Sequence, residues 1–213
     1  STSTSNRFKA LGVGVFVALL LQSSTATSLI VSSFAARSVI TISGALAVML
    51  GADVGTTLAA QIMSFDLSWL VPVLLTSGFL INKTMDNSQY RYLGRTMVGM
   101  ALALLALKNI SIVAEPLKHS DAIHVLINPL RDQPILAVVI SILITWLVHS
   151  GLGMVLLYMS FVAAGTLPLE LGLYLTLGAN IGSALAPVAM TLRDIPAGRR
   201  VPLGNLVIRG LGV

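Results

Sequence analysis

The stretch Gly51-Ala52-Asp53-Val54-Gly55-Thr56 returns 127 residues later in the chain as Gly178-Ala179-Asn180-Ile181-Gly182-Ser183. Around these two copies, residues 20–63 align with residues 147–190 without a gap, and roughly one aligned position in three is identical. Shared apolar composition alone would give far fewer identities. Because self-similarity at a fixed offset is typical of a repeated structural unit, the sequence predicts one architecture built twice.

The composition places this repeated unit in a membrane. The chain has 213 residues, of which 55% are hydrophobic and only 10% charged, whereas soluble domains carry about 25% charged residues. Residues 10–21, 38–63 and 135–148 are apolar stretches in which Asp53 is the single charge. Long apolar stretches of this kind predict transmembrane helices. We therefore expect an all-α polytopic membrane protein.

The scarcity of cysteine and histidine argues against several classes of chemistry. It has no cysteine and only three histidines, so disulfides and thiolate chemistry are excluded and a metal site other than one for sodium is not expected. No cofactor is predicted. The net charge of +5 fits loops that face anionic lipid, and no basic stripe interleaved with aromatic residues indicates nucleic-acid binding.

Short apolar pieces predict a re-entrant hairpin. Residues 10–21 would form a helix of about 18 Å at ~1.5 Å per residue, well short of the ~30 Å hydrocarbon core. The polar residues Gln22-Ser23-Ser24-Thr25 separate this piece from a second one, residues 26–36. Such a polar tip is tolerated at membrane depth when it is buried in protein or lines a cavity. A single long helix with a polar middle is the alternative. The N-terminal region is not expected to be a signal peptide, because it recurs in the second copy, where a signal peptide could not lie.

The distribution of positive charge indicates how the two copies are oriented. With a re-entrant hairpin, all strongly basic loops fall on one side of the membrane, as the positive-inside rule requires. Three crossings then separate the copies, so the repeats are expected to be inverted. We predict a first repeat over residues 7–114, an extramembrane loop over 115–133, and a second repeat over 134–213 that is truncated at its C-terminal end. Each repeat is expected to hold a re-entrant hairpin followed by a broken transmembrane helix.

Asp53 indicates a cation site. A carboxylate near the bilayer centre costs at least ~2.5 kcal/mol and is a functional candidate by default. A bound Na⁺ would offset that cost, and Gly51 and Gly55 could let the helix open and expose carbonyl oxygens. Two alternatives stay open: the glycines form a helix-packing motif, or Asp53 is neutral or paired with an arginine. The predicted sodium-binding residues are Asp53, Thr56, Thr57, Asn180 and Ser183.

The hydroxyl-rich tip indicates an anion site. The second half-helix begins there, and a helix N-terminus offers free N–H groups and a positive dipole end. The alternative is that these hydroxyls hold neighbouring helices together by hydrogen bonds.

The doubled Gln-Ser-Ser and Gly-Ala-(Asn/Asp)-x-Gly-(Thr/Ser) elements resemble those of the sodium–phosphate cotransporter family, in particular its bacterial branch. This resemblance implies that both hairpin tips bind phosphate and sodium. The second tip departs from the pattern, since it contains His149-Ser150-Gly151, where His149 either keeps a donor for the ligand or is hydrogen-bonded within the helix bundle. The phosphate-binding residues expected on this basis are Gln22, Ser23, Ser24, Thr25, His149, Ser150 and Gly151.

These patterns together predict a sodium-coupled secondary transporter of inorganic phosphate that works by alternating access. It is expected to be a multi-pass protein of the bacterial inner membrane, with phosphate, Na⁺ and the lipid bilayer as partners and a homodimer as an open option. No enzyme is predicted, because a hydrolase using His149 would lack the G-x-S-x-G element. The alternative is a scaffold or regulatory subunit that does not transport. Transport direction and stoichiometry stay open.

Overall fold

The computed structural model describes residues 6–65, 67–85, 87–117, 127 and 129–212. Within these residues the chain is built from long α-helices joined by short turns. The helices are α1 (Arg7–Leu21), α2 (Ser24–Ala36), α3 (Ile42–Met63), α4 (Leu70–Thr84), α5 (Ser88–Leu117), α6 (Pro134–Val148), α7 (Gly151–Ala163), α8 (Leu169–Met190) and α9 (Pro196–Leu211).

The repeat found in the sequence recurs in the helix boundaries. Helices α1, α2 and α3 contain 15, 13 and 22 residues, and α6, α7 and α8 contain the same numbers. Each boundary in the second set lies 127 residues after its counterpart, and α9 also ends 127 residues after α4. The predicted duplication therefore extends to the secondary structure.

The third helix of each matched set, α3 or α8, is continuous, so the prediction that these helices are broken is wrong. Helix α3 runs without interruption through the Gly51–Thr57 motif, and α8 runs through the corresponding residues 178–183. The physical reason is that their glycines serve close packing. A Cβ at Gly51 would lie 2.0 Å from the Leu11 carbonyl oxygen, and one at Gly178 would lie 2.5 Å from the Val138 carbonyl oxygen.

The second glycine of each motif is used in the same way. A Cβ at Gly55 would lie 2.6 Å from the Val15 carbonyl oxygen, and one at Gly182 would lie 2.5 Å from that of Ile142. Leu11 and Val15 lie in α1, and their counterparts Val138 and Ile142 lie in α6. Both copies of the motif thus hold the third helix of a repeat against the backbone of the first. This is the small-residue packing typical of membrane helices.

Helices α4, α5 and α9 lie outside the two matched sets of three helices. Helix α4 packs against α5, which also contacts α7 of the second set. Helix α7 contacts α3, and helix α9 contacts both sets, α2 and α3 of the first and α8 of the second. Its buried residues recur along one face: Gly198, Val201, Pro202, Asn205 and Arg209.

The distribution of apolar and polar side chains is that of a membrane protein. Large apolar side chains such as Phe16 (62% exposed) and Leu147 (70% exposed) point outward, whereas Thr27, Ser28 and Thr145 are fully buried. Soluble proteins rarely expose apolar surface so widely. Among the described helices, α3 and α8 are long and apolar enough to cross a membrane, while α2, α4, α6 and α7 are shorter and apolar.

The predicted segment 115–133 falls mostly outside the described residues. Its first residues continue α5 as far as Leu117, so the helix extends beyond the expected end at residue 114. The division of the chain into repeats 7–114 and 134–213 stays a prediction.

The close contact of α1 with α3 can be tested at Gly14. A Cβ there would lie 2.0 Å from the Val48 carbonyl oxygen. We expect Gly14→Ala to lower the free energy of unfolding by about 1–3 kcal/mol, the usual cost of overpacking. Gly12→Ala is the matched control, since a Cβ at Gly12 has no atom within 4 Å. Thermal melting of both variants in detergent checks this, and equal melting temperatures would contradict the packing described here.

Candidate functional site

Two turns of the same geometry mark the ends of the paired short helices. Gln22 and His149 both adopt the left-handed conformation, with φ of 49° and 59°. The following serine caps the next helix: Ser23 Oγ accepts a hydrogen bond from the Ala26 amide at 3.1 Å, and Ser150 Oγ accepts one from the Gly153 amide at 3.2 Å. A serine in this position is a preferred N-cap. The helix N-termini predicted at the two tips are confirmed.

A cavity of about 470 Å³ lies between the two repeats. Ser24 and Gly151, the first residues of α2 and α7, both line it. All five of the predicted sodium-binding residues line it as well. They are Asp53, Thr56, Thr57, Asn180 and Ser183. The duplicated motifs therefore meet around one space, although they are far apart in sequence.

The other residues predicted to bind phosphate are within two positions of Ser24 or Gly151 in the sequence, but they do not line the cavity. They are Gln22, Ser23, Thr25, His149 and Ser150. The His149 ring is exposed, and its Nδ1 lies 2.9 Å from the Leu147 carbonyl oxygen, so Nδ1 donates to the backbone of its own turn. This contact is local and does not hold the ring inside the helix bundle.

Arg209 is the central side chain of the site, and the sequence analysis did not identify it. Its guanidinium donates from Nε to Asp53 Oδ2 at 3.1 Å and from Nη2 to Asp53 Oδ1. Nη1 donates to the Asn180 carbonyl oxygen at 2.8 Å and to Ser183 Oγ at 2.5 Å. One arginine on α9 thus binds α3 of the first repeat and α8 of the second.

The alternative in which Asp53 is paired with an arginine is therefore the arrangement in this structure. The Arg209 side chain is 5% exposed and that of Asp53 is 23% exposed. Arg209 supplies the positive charge that a bound cation was expected to supply. A charged residue within the apolar run Leu206-Val207-Ile208-Arg209 is the same signal that singled out Asp53, so the sequence did contain a pointer to it.

Hydroxyl groups in the site are turned toward their own helices. Thr56 Oγ1 and Thr57 Oγ1 donate to the Asp53 carbonyl oxygen at 3.0 and 2.9 Å, and Ser183 Oγ donates to the Asn180 carbonyl oxygen at 2.9 Å. This back-bonding satisfies hydroxyl donors inside a helix and leaves lone pairs on the same oxygens. Within the described part of the chain, no three His, Asp or Glu side chains come together as a metal-binding group.

Comparison with known proteins identifies the family. The Na⁺/Pi-cotransporter family matches residues 1–112 and 117–199. The chain belongs to this family. It is 36% identical over 212 residues to proteins of Salmonella typhimurium and Escherichia coli that carry the provisional name inorganic phosphate export protein YjbB. A Bacillus subtilis protein, the uncharacterized YqeW, is 25% identical over 210 residues.

These matches differ in how much of each relative they cover. The whole chain aligns with the two YjbB proteins but spans 39% of their length, and 99% of it aligns with 68% of YqeW. No solved structure matches the chain. Membership in a cotransporter family makes this an integral membrane protein and bears out the resemblance drawn from the repeated motifs.

The energetic link between Asp53 and Arg209 can be measured with a double-mutant cycle. Asp53→Asn leaves the buried Arg209 without its counter-ion, and Arg209→Gln leaves the partly buried Asp53 without one, which is destabilising, whereas the double variant leaves neither charge. We expect each single variant to melt below the wild type and the double variant to recover part of the loss. The coupling free energy should be on the order of 1–3 kcal/mol. The measurement is thermal melting in choline buffer without phosphate, and additive losses would contradict the ion pair.

Proposed function

We propose that this chain belongs to a sodium-coupled secondary transporter of inorganic phosphate. Its binding site is the cavity between the repeats. The observation that carries the proposal is the presence in one cavity of Arg209, Asp53 and the first residues of two helices, Ser24 and Gly151. Such a cavity holds groups of both signs, as a site for an anion and its coupling cation must.

Phosphate recognition rests on three positive elements. The first turns of α2 and α7 have N–H groups without partners inside the helix, and the positive ends of their dipoles favour an anion. The Arg209 guanidinium adds a full charge and a fork of donors that fits phosphate oxygens in a bidentate way. We propose that this site is supported by residues of the two turns and by Thr25 in the first turn of α2. The turn residues are Gln22, Ser23, His149 and Ser150.

Sodium is proposed to bind in the same cavity, among the oxygens that lie next to Arg209 on α3 and α8. Hard cations prefer oxygen ligands, and the Asp53 carboxylate with the hydroxyls of Thr56, Thr57 and Ser183 supplies them together with Asn180. A bound Na⁺ would offset part of the charge of phosphate at mid-membrane. Coupling then has a simple cause, since either ion alone leaves an uncompensated charge.

The proposed transport cycle is alternating access of two inverted repeats in a multi-pass protein of the bacterial inner membrane. The pairs α1–α2 and α6–α7 would be re-entrant hairpins whose tips meet near the bilayer centre. Each of these four helices has only 13 or 15 residues, which supports the hairpins because such helices are too short to cross the ~30 Å hydrocarbon core. A homodimer is compatible with it. The direction of net transport depends on the gradients of the two ions.

One observation favours the alternative of a scaffold or regulatory subunit that does not transport. The charge of Asp53 is already neutralised by Arg209, so the site is electrically satisfied without any ligand. A permanent pair of this kind would serve only to hold α3, α8 and α9 together.

Uptake of labelled phosphate into liposomes containing the purified protein distinguishes these functions. We expect uptake in NaCl and little in choline chloride at equal ionic strength. Ser24→Ala should weaken the apparent phosphate affinity about 10- to 150-fold, because a hydrogen bond to a charged ligand contributes about 1.5–3 kcal/mol. Ser33→Ala is the matched control, since Ser33 is exposed on the same helix. Absence of uptake under a sodium gradient in either direction would leave the scaffold function.

A further inference from the structure

The contacts of Arg209 divide into two sets that belong to different repeats. Two N–H groups bind the Asp53 carboxylate on α3, and Nη1 binds the Asn180 carbonyl oxygen and Ser183 Oγ on α8. The second set holds the guanidinium against α8 whether or not Asp53 is bound. Arg209 is therefore a fixed positive charge on the cavity wall, and Asp53 is the partner that can be exchanged.

Phosphate is a chemical competitor for the place that Asp53 occupies. A carboxylate and a phosphate both present two oxygens at a spacing that suits a guanidinium. Phosphate carries more charge than a carboxylate and would enter the cavity that Arg209 and Asp53 both line. Both side chains line the cavity, and that of Asp53 is the more exposed of the pair, at 23% against 5%.

When Asp53 is released from Arg209, its carboxylate needs another cation as a partner. A free carboxylate in an apolar surrounding is costly unless it is paired or binds a cation. Phosphate that takes Arg209 therefore raises the affinity of Asp53 for Na⁺. By thermodynamic linkage, Na⁺ at Asp53 raises the affinity of Arg209 for phosphate by the same factor.

We propose that Arg209 is a phosphate ligand that exchanges its bond to Asp53 for one to phosphate, and that Na⁺ then takes the place of Arg209 on Asp53. The resident ion pair is the empty state of the transporter, and its opening couples the two ions. This inference rests on the proposed function and adds to it the side chain that makes coupling obligatory.

The test measures binding of inorganic phosphate and of Na⁺ separately, by calorimetry on the purified chain in detergent. In the wild type we expect saturating Na⁺ to raise the phosphate affinity at least about 5-fold, the lower end of typical coupling between sites. Asp53→Asn removes the competing carboxylate. Phosphate should then bind in choline at least as tightly as it binds to the wild type in saturating Na⁺, and Na⁺ should no longer improve it.

Arg209→Gln should weaken phosphate binding, whereas Asp53→Asn should strengthen it in choline. Arg209→Gln leaves Asp53 without its cation, so Na⁺ should bind in the absence of phosphate more tightly than it does to the wild type, while phosphate affinity falls at least about 10-fold. Arg200→Gln removes the same charge from an exposed position of α9 and should behave as the wild type does. If Arg209→Gln does not fold, Asp53→Asn alone decides, because that variant keeps the guanidinium.

The outcomes separate this inference from the proposed function. If the wild type binds phosphate with help from Na⁺ and Asp53→Asn keeps that dependence, the exchange is overturned while the transporter stands. Unchanged phosphate affinity in Arg209→Gln would overturn it in the same way. A wild type that binds neither ion and shows no uptake into liposomes would overturn both.

Discussion

The site depends on how closely α1 and α3, and equally α6 and α8, can approach. Gly51 and Gly55 lie one turn apart on the face of α3 that meets the backbone of α1. Asp53 lies two residues from each of them, about 200° around a helix of 3.6 residues per turn. It must therefore point away from α1, into the cavity. The same geometry in α8 turns Asn180 away from α6, so one packing motif sets both walls of the site.

Much of this arrangement could be predicted from the sequence, because the same pattern of residues occurs in two copies and each copy supports the interpretation of the other. The offset between Gly51 and Gly178 indicated which helices correspond, and the polar residues after residue 21 indicated where α1 ends and a second helix begins. The break predicted in α3 and α8 was wrong because a glycine pair has two physical uses, flexibility and close approach. Only the neighbouring backbone decides between them, and that neighbour belongs to another helix.

Arg209 shows a different limit of the sequence. The buried face of α9 has helical spacing from Gly198 through Asn205 to Arg209, so the helix itself was readable. Which acid an arginine pairs with is set by tertiary structure, and Asp53 is 156 residues away. Other features depend on the membrane and on bound ions, and they stay predictions: the inverted orientation of the repeats, the re-entrant hairpins and the ion ligands.

Stability alone gives a poor account of the Asp53–Arg209 pair. Replacing a buried ion pair by apolar side chains is often neutral or stabilising, so a pair at the wall of a cavity needs another reason. Arg209 bridges α3 and α8, the corresponding helices of the two repeats. Any motion of one repeat against the other must strain one set of its contacts. The carboxylate contacts are the more exposed set. In the exchange that we propose, ions replace this set, so the charge state of the cavity and the relative position of the repeats would be linked through a single side chain.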